Sequence, residues 1–199
     1  MEMIKNVKVY GLEDSIRAAK FPMSVNVDAL DGTLTAGIKK LAQSEKGEGH
    51  DNWLQGVIVQ FDLTATNKFW VEMERYHFID FISSQSTMHR ITKFDLDKAY
   101  CDYVDLRIVQ IMKEKVELYN DILENGTEEQ KAKLSVMYLG ILYSNPAGFT
   151  LTARMTTNYR QLKTIYAQRK NHRLPEWHVF CDWVKTLPMS ELITMEDKA

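Results

Sequence analysis

The sequence predicts an α+β fold, mostly helical with a small antiparallel sheet, in a single domain spanning residues 1–199. Three observations predict it. Helical apolar spacing dominates the second half, most clearly in "DLRIVQIMKEKVELYNDILENG" (105–126). Period-two alternation is confined to short stretches such as "VIVQFDLT" (57–64), where Val59, Phe61 and Leu63 share a face. No repeat, low-complexity tract or Pro/Gly-rich linker divides the 199 residues, a length that suits one full hydrophobic core.

Taken in order, "VKVYG" (7–11) reads as a strand ending at Gly11, and "LEDSIRAAKF" (12–21) as a helix with acids in its first turn. "DGTLTAGIKKLAQ" (31–43) spaces Leu34, Ile38 and Leu41 helically, "SEKGEG" (44–49) is a loop, and "HDNWLQG" (50–56) is a single helical turn. After the strand at 57–64, Asn67-Lys68-Phe69 is expected to turn the chain and "FWVEME" (69–74) to return as a second, antiparallel strand. "HFIDFISSQSTMH" (77–89) favours a helix. Asn125-Gly126 ends the long helix of 105–126. "TEEQKAKLSVMYLGIL" (127–142) opens on Thr127 and Gln130, a capping-box pattern. "NPAG" (145–148) breaks the chain, and "FTLTARM" (149–155) reads as a strand or the entry to a helix. "TTNYRQLKTIYAQRK" (156–170) is a helix with Leu162, Ile165 and Tyr166 on its apolar stripe. Pro175 starts a last helix, "EWHVFCDWVKTL", which stops at Pro188.

Composition narrows the function classes. Apolar residues make up 45% and charged residues 26%, as in ordinary globular proteins. A net charge of −2 gives no global basic field, so nucleic acid is not an expected partner. The longest apolar runs fall far short of the roughly 18 residues that span a bilayer. Glu2, Lys5 and Lys8 interrupt any apolar core in residues 1–25, so no signal peptide is read there and a cytoplasmic location is expected. Cys101 and Cys181 form neither a disulfide framework nor a metal spacing. His50, His77, His89, His172 and His178 show no His-Glu-x-x-His pattern, so no metal is expected.

Two clusters could carry chemistry. Asn158 and Arg169 lie on one helix face, about three turns or roughly 16 Å apart, with Leu162 and Ile165 between them. A polar residue at each end of an apolar stripe suits a groove for a flat ligand. Equally, Asn158 can cap the helix start and Arg169 can bind carbonyls near its end. In "SSQSTMHR" (83–90), Gln85, His89 and Arg90 offer an amide, a titratable imidazole and a planar fork for phosphate or a carbonyl-rich ring. The plainer reading is a helix-terminal pair facing the dipole. The basic run "QRKNHR" (168–173) is either a solvated face or an anion contact.

The order of these pieces resembles the flavin-dependent thymidylate synthase family, over most of the chain at the level of pattern. The "YGLEDSIRAAKF" opening is similar to the family's strand and Ala-Ala helix. "HDNWLQGVIVQF" keeps His50 and Leu54 of a His-x-x-x-Leu-Glu turn, with Gln55 in place of Glu. "QSTMHR" keeps Gln85, His89 and Arg90 of Gln-x-x-Arg-His-Arg, with Met88 in place of the first Arg. "NYRQLKTIYAQR" matches the family's Asn-x-Arg-x-Leu and later Arg in full, at Asn158, Arg160, Leu162 and Arg169, and His172 corresponds to a family His with a one-residue offset. The family's Ser and Arg after Arg-His-Arg have no counterpart in "ITKFDLDKAYCDYV" (91–104), and "LGILYSNPAG" is neutral where the family places a further Arg.

The resemblance implies one-carbon transfer to a pyrimidine nucleotide, dUMP to dTMP, with FAD, NADPH and methylenetetrahydrofolate. It implies that Arg169 is catalytic and binds substrate together with Gln85 and Arg160. It implies that His50, His89, Arg90, Asn158 and His172 hold FAD, in a site shared between subunits of a homotetramer. Arg169 is then expected to face the ligand, so that its truncation shifts stability by about 0.5 kcal/mol or less. The missing Ser and Arg imply weak dUMP binding unless Arg154, Lys170 or Arg173 replaces them. They also leave room for a flavin- or nucleotide-binding homologue that is inactive, or one altered toward another pyrimidine.

Overall fold

The computed structural model describes residues 2–45 and 47–195. Four strands, β1 (Ile4–Tyr10), β2 (Ile58–Thr66), β3 (Asp80–Ser84) and β4 (Thr150–Asn158), form an antiparallel sheet in the order β1-β2-β4-β3. Helices are α1 (Leu12–Ala18), α2 (Ala36–Ala42), α3 (Asn67–Met73), α4 (Thr87–Arg90), α5 (Leu106–Asn125), α6 (Glu128–Lys131), α7 (Leu134–Ser144), α8 (Tyr159–Arg169), α9 (Pro175–Lys185) and α10 (Glu191–Thr194). None of them is long and apolar enough to cross a membrane.

β2 keeps the expected alternation, with Val59, Phe61, Leu63 and Ala65 buried. β1 pairs antiparallel with it, Ile4 facing Leu63 and Tyr10 facing Ile58, with an irregularity between Lys5 and Lys8. Asn6 takes a left-handed φ of 51° there and donates from Nδ2 to Asp62. Gly11, at φ 69°, turns the chain into α1, and a Cβ there would stand 2.7 Å from the Gly56 carbonyl oxygen. The one-turn reading of 50–56 appears as a 3₁₀ helix, Asn52–Gly56.

Several expectations fail. The segment 69–74 is helical and not a strand. The Thr66 hydroxyl accepts from the Phe69 amide, a cap that starts α3, and Phe69, Trp70 and Met73 bury one helical face. The segment 77–89 holds an edge strand and then one turn of helix. Phe78 sits at φ 61°, which no α-helix tolerates, and its carbonyl accepts from the Thr157 hydroxyl at 2.8 Å. Pro175–Lys185 is not the last helix, because α10 follows Pro188. The capping box at Thr127 and Gln130 is present, but it opens only the short α6, and α7 begins afresh at Leu134.

The chain groups into two compact units. The first comprises the described residues of 1–63, 73–83 and 154–199, and the second those of 64–72 and 84–153; β2 and β4 contribute to both. In the first, Phe61 packs 4.6 Å from the Trp183 ring and edge-on to Phe180, which meets Trp177 in turn. In the second, Ile91, Leu96, Ala99, Met112, Val116, Ile141 and Phe149 form the core, with Phe94 and Tyr100 edge-on to Phe149. Burial pushes the Tyr100 phenol up to about 12.

Candidate functional site

In the first unit, the matched helix α8 ties nearly every polar group to its own surroundings. Asn158 is the N-cap: its Oδ1 accepts from the Gln161 amide at 2.9 Å, as the plainer reading had it. Arg160 donates from Nε to Asp51 Oδ1 at 3.0 Å. Asp51 is 4% exposed, and its other oxygen accepts from Lys163 Nζ at 2.8 Å. Lys163, 8% exposed, also donates to the carbonyls of Ala42 and Ser44. A buried ammonium with three oxygen acceptors is what keeps such a charge tolerable away from water.

Arg169 ends the same helix and is 8% exposed, not solvent-facing as expected. Its Nε donates to the Tyr76 hydroxyl at 2.6 Å, and its guanidinium lies 4.7 Å from the Trp177 ring centroid. The Tyr76 hydroxyl donates onward to Gln168 Oε1 at 3.0 Å. His172 accepts at Nδ1 from the Leu174 amide, and its carbonyl meets His178 Nε2 at 2.5 Å. His50 is exposed, one residue before Asp51. Of the cations considered as replacements, Arg154 bonds the Asn6 carbonyl and Asp62, and Lys170 lies 5.6 Å from the Tyr166 ring.

The second unit is arranged differently. Gln85, at the end of β3, pairs with Thr152 twice: its amide donates to the Thr152 carbonyl, and its side-chain Oε1 accepts from the Thr152 amide, both at 2.9 Å. The side chain thus prolongs the ladder and leaves its Nε2 as a fixed donor. His89 and Arg90 occupy the last turn of α4 and are exposed. Gln85, Ser86, Arg90, Lys93, Phe94 and Asp95 line an open groove of about 370 Å³. Among the described residues, neither Arg90 nor Lys93 forms an ion pair. The Tyr138 hydroxyl donates to the Thr87 carbonyl beneath this turn, and burial raises its pKa.

The groove presents donors, two cations and an aromatic edge, the set that takes an anionic, hydrogen-bonding ligand. Sequence reasoning passed over Lys93, Asp51, Lys163, Tyr76 and Trp177. The one legible signal was Lys163, a charge set beside the apolar stripe of Leu162, Ile165 and Tyr166. Among the described residues no group of three His, Cys, Asp or Glu side chains could hold a metal. Cys181 is buried, which pushes its thiol up to about 11, far from an activated thiolate.

No protein-family model matches the chain, and no curated protein matches it significantly. Solved structures do. The flavin-dependent thymidylate synthase ThyX from Helicobacter pylori, complexed with FAD and dUMP, superposes with a TM-score of 0.70 at 13% identity, covering 98% of each chain. A UMP/dUMP methylase, PolB from Streptomyces cacaoi, bound with 5-Br dUMP, superposes with a TM-score of 0.61 at 15% identity, covering 98% of this chain and 96% of that one. At such identities the likeness is one of architecture: this chain has the fold of the flavin-dependent thymidylate synthases.

Proposed function

We propose that this chain is a flavin-dependent, thymidylate synthase-like enzyme that transfers a one-carbon unit to a pyrimidine nucleotide, with dUMP to dTMP as its reaction. The observation that carries the proposal is end-to-end likeness, over 98% of both chains, to a protein crystallised with FAD and dUMP. The donor set agrees with a flavin dinucleotide: the fixed Gln85 amide nitrogen, the His89 imidazole and the Arg90 guanidinium suit a ring rich in carbonyls and a diphosphate. FAD reduced by NADPH, with methylenetetrahydrofolate as donor, supplies the electron and one-carbon chemistry. The residues of this chain bind, orient and stabilise charge. Gln85 donates to a bound ring, and Arg90 neutralises phosphate. Arg169, held in register by Tyr76 and Trp177, polarises a pyrimidine carbonyl as negative charge develops. Arg160 acts on substrate only with its second nitrogen edge, because its Nε is tied to Asp51.

The enzyme acts in the cytoplasm as a homotetramer. Support for assembly comes from α5, which exposes Leu106, Ile108, Ile111, Leu118 and Leu123, and from α7, which exposes Val136, Leu139 and Tyr143. Purified protein is expected to be yellow, to shift its flavin spectrum on adding dUMP, and to release tritium from labelled dUMP. Protein that binds no flavin when FAD is supplied would sink the proposal. A stable monomer in light scattering would remove the tetramer.

A further inference from the structure

We infer that Lys93, together with Arg90, forms a phosphate-binding subsite in the groove of the second unit. The ligand class is a phosphorylated nucleoside, taken either through the monophosphate of a pyrimidine nucleotide or through the diphosphate of a flavin dinucleotide. The assignment deepens the enzymatic reading and rests on it for the identity of the nucleotide, though not for the anion chemistry.

Charge makes the first argument. Arg90 and Lys93 both line the groove, and among the described residues the only acid lining it is Asp95. That carboxylate is already engaged: Lys98 Nζ donates to Oδ2 at 2.7 Å, and the Asp97 amide donates to Oδ1 at 3.1 Å. Lys98 first, and the Asp97 amide and Lys113 after it, hold Asp95 below the usual carboxylate range. Asp97 is paired with Lys113. Asp95 and Asp97 therefore have cations of their own, whereas Arg90 and Lys93 form no ion pair among the described residues. Two like charges facing one open cleft repel each other, and an entering dianion reverses the sign of that interaction.

Rigidity makes the second argument. Lys93 stands on a 3₁₀ turn, Ile91–Lys93, whose first two residues are buried. The Thr92 carbonyl accepts from Asn120 Nδ2 on α5 at 3.2 Å. Phe94, next in sequence, is locked edge-on against Phe149, with ring centroids 5.2 Å apart. The backbone that carries the lysine is thus fixed to the core, while its ammonium reaches solvent in the groove. The ladder-bound Gln85 lines the same groove and holds an amide donor. Fixed donors converging on one open cleft bind an anion without ordering a loop first. Arg90 brings a planar fork and Lys93 a compact point charge, a combination that suits a tetrahedral phosphate.

The test compares full-length protein with the variants Lys93→Met and Lys93→Arg by calorimetric titration. The probes are inorganic pyrophosphate, dUMP, deoxyuridine, FAD and riboflavin. Lys93→Met should weaken pyrophosphate about five- to tenfold, the loss of one charge-assisted contact in a partly exposed groove. Lys93→Arg should restore most of it. If dUMP weakens while deoxyuridine does not, the subsite takes the monophosphate. If FAD weakens while riboflavin does not, it takes the diphosphate. Wild-type protein that binds pyrophosphate but neither FAD nor dUMP would defeat the enzymatic reading and leave the subsite standing. Pyrophosphate that binds Lys93→Met as tightly as wild type, or fails to bind wild type, overturns the subsite. Lys93 is exposed, so unchanged melting of the variants keeps these outcomes readable.

Discussion

Two sets of cations, one in each unit, are held in opposite ways. In the first, Arg154, Arg160, Lys163 and Arg169 are each held by a named partner: Asp62, Asp51, Asp51 again, and the Tyr76–Trp177 pair. In the second, Arg90 and Lys93 line a groove with no ion pair among the described residues. Residues of one chemical type therefore have two different energetic meanings. A cation built into a network stabilises the fold and has little freedom to follow a ligand. A cation left without a partner adds little to the fold and is available to an anion. The difference predicts a graded series of stability effects, and each member tests it.

The largest effect is expected at Lys163. Its ammonium satisfies the carbonyls of Ala42 and Ser44 and one oxygen of the buried Asp51. Lys163→Met leaves those acceptors without their donor in a dry setting, although Arg160 keeps its bond to Asp51. Removing one member of a buried ion pair costs about 3–5 kcal/mol. Urea unfolding should show the midpoint fall with the slope unchanged. A loss near zero would mean that this network is solvated and that the contrast between units is misplaced.

Arg169→Ala comes next. Exposure would have made this change nearly silent. With its guanidinium buried against Trp177 and bonded to Tyr76, the loss should reach about 2–3 kcal/mol. Tyr76→Phe removes only the hydroxyl and should cost about 1 kcal/mol. If Arg169→Ala melts like wild type while the flavin spectrum stops responding to dUMP, Arg169 serves the ligand alone.

Arg169 also marks where the sequence stopped being legible. Helical spacing placed Asn158, Leu162, Ile165 and Arg169 on one helix face. Spacing carries no information about what packs on that face, and Tyr76 lies 93 residues earlier in the chain. The same limit explains the misread middle. Phe69, Trp70 and Met73, or Phe78, Ile79 and Ile82, fit either period over so few residues. A Thr66 cap decided the first, and a left-handed Phe78 bonded to Thr157 decided the second. Longer patterns fared better: α5 and β2 lie where their periodicity put them, and α8 does from Tyr159 onward, although 156–158 belong to β4 and the helix expected over 127–142 is divided between α6 and α7. Lys93 escaped notice because an isolated lysine in a polar stretch looks like any solvated residue until its neighbours are known.

A smaller effect, with a pH signature, is expected at Asp62. The Asn6 amide, and then Arg154, hold its carboxyl below the usual carboxylate range. A depressed pKa in the folded state stabilises the fold above the unfolded value, about 3.9, and that contribution is lost as pH falls through the folded value. Asp62→Asn should therefore cost about 1 kcal/mol at neutral pH, in line with a partly exposed pair. The variant and wild type should converge as the solution is acidified below pH 4. A gap between them that stays constant down to pH 2 would show that the carboxylate charge is irrelevant and that only the shape of the side chain matters.

The smallest effect, and the one that separates the units most sharply, is expected at the groove. Arg90→Ala and Lys93→Ala remove exposed side chains that form no ion pair among the described residues, so each should change stability by less than about 0.5 kcal/mol. The sign is informative. With Asp95 occupied by Lys98, each cation shares the groove with a second cation. Deleting either relieves repulsion, so the change should be neutral to slightly stabilising at low salt. It should shrink as ionic strength rises toward 1 M, where the screening length falls to about 3 Å. Adding pyrophosphate should reverse the order, because the bound anion stabilises most the protein that retains both cations, and that stabilisation grows with ligand concentration. Thermal melts at two salt concentrations, with and without pyrophosphate, read all of this in one series. A clear destabilisation by either substitution at low salt would mean that the groove cations already have partners in the folded chain, and the two units would no longer differ in kind.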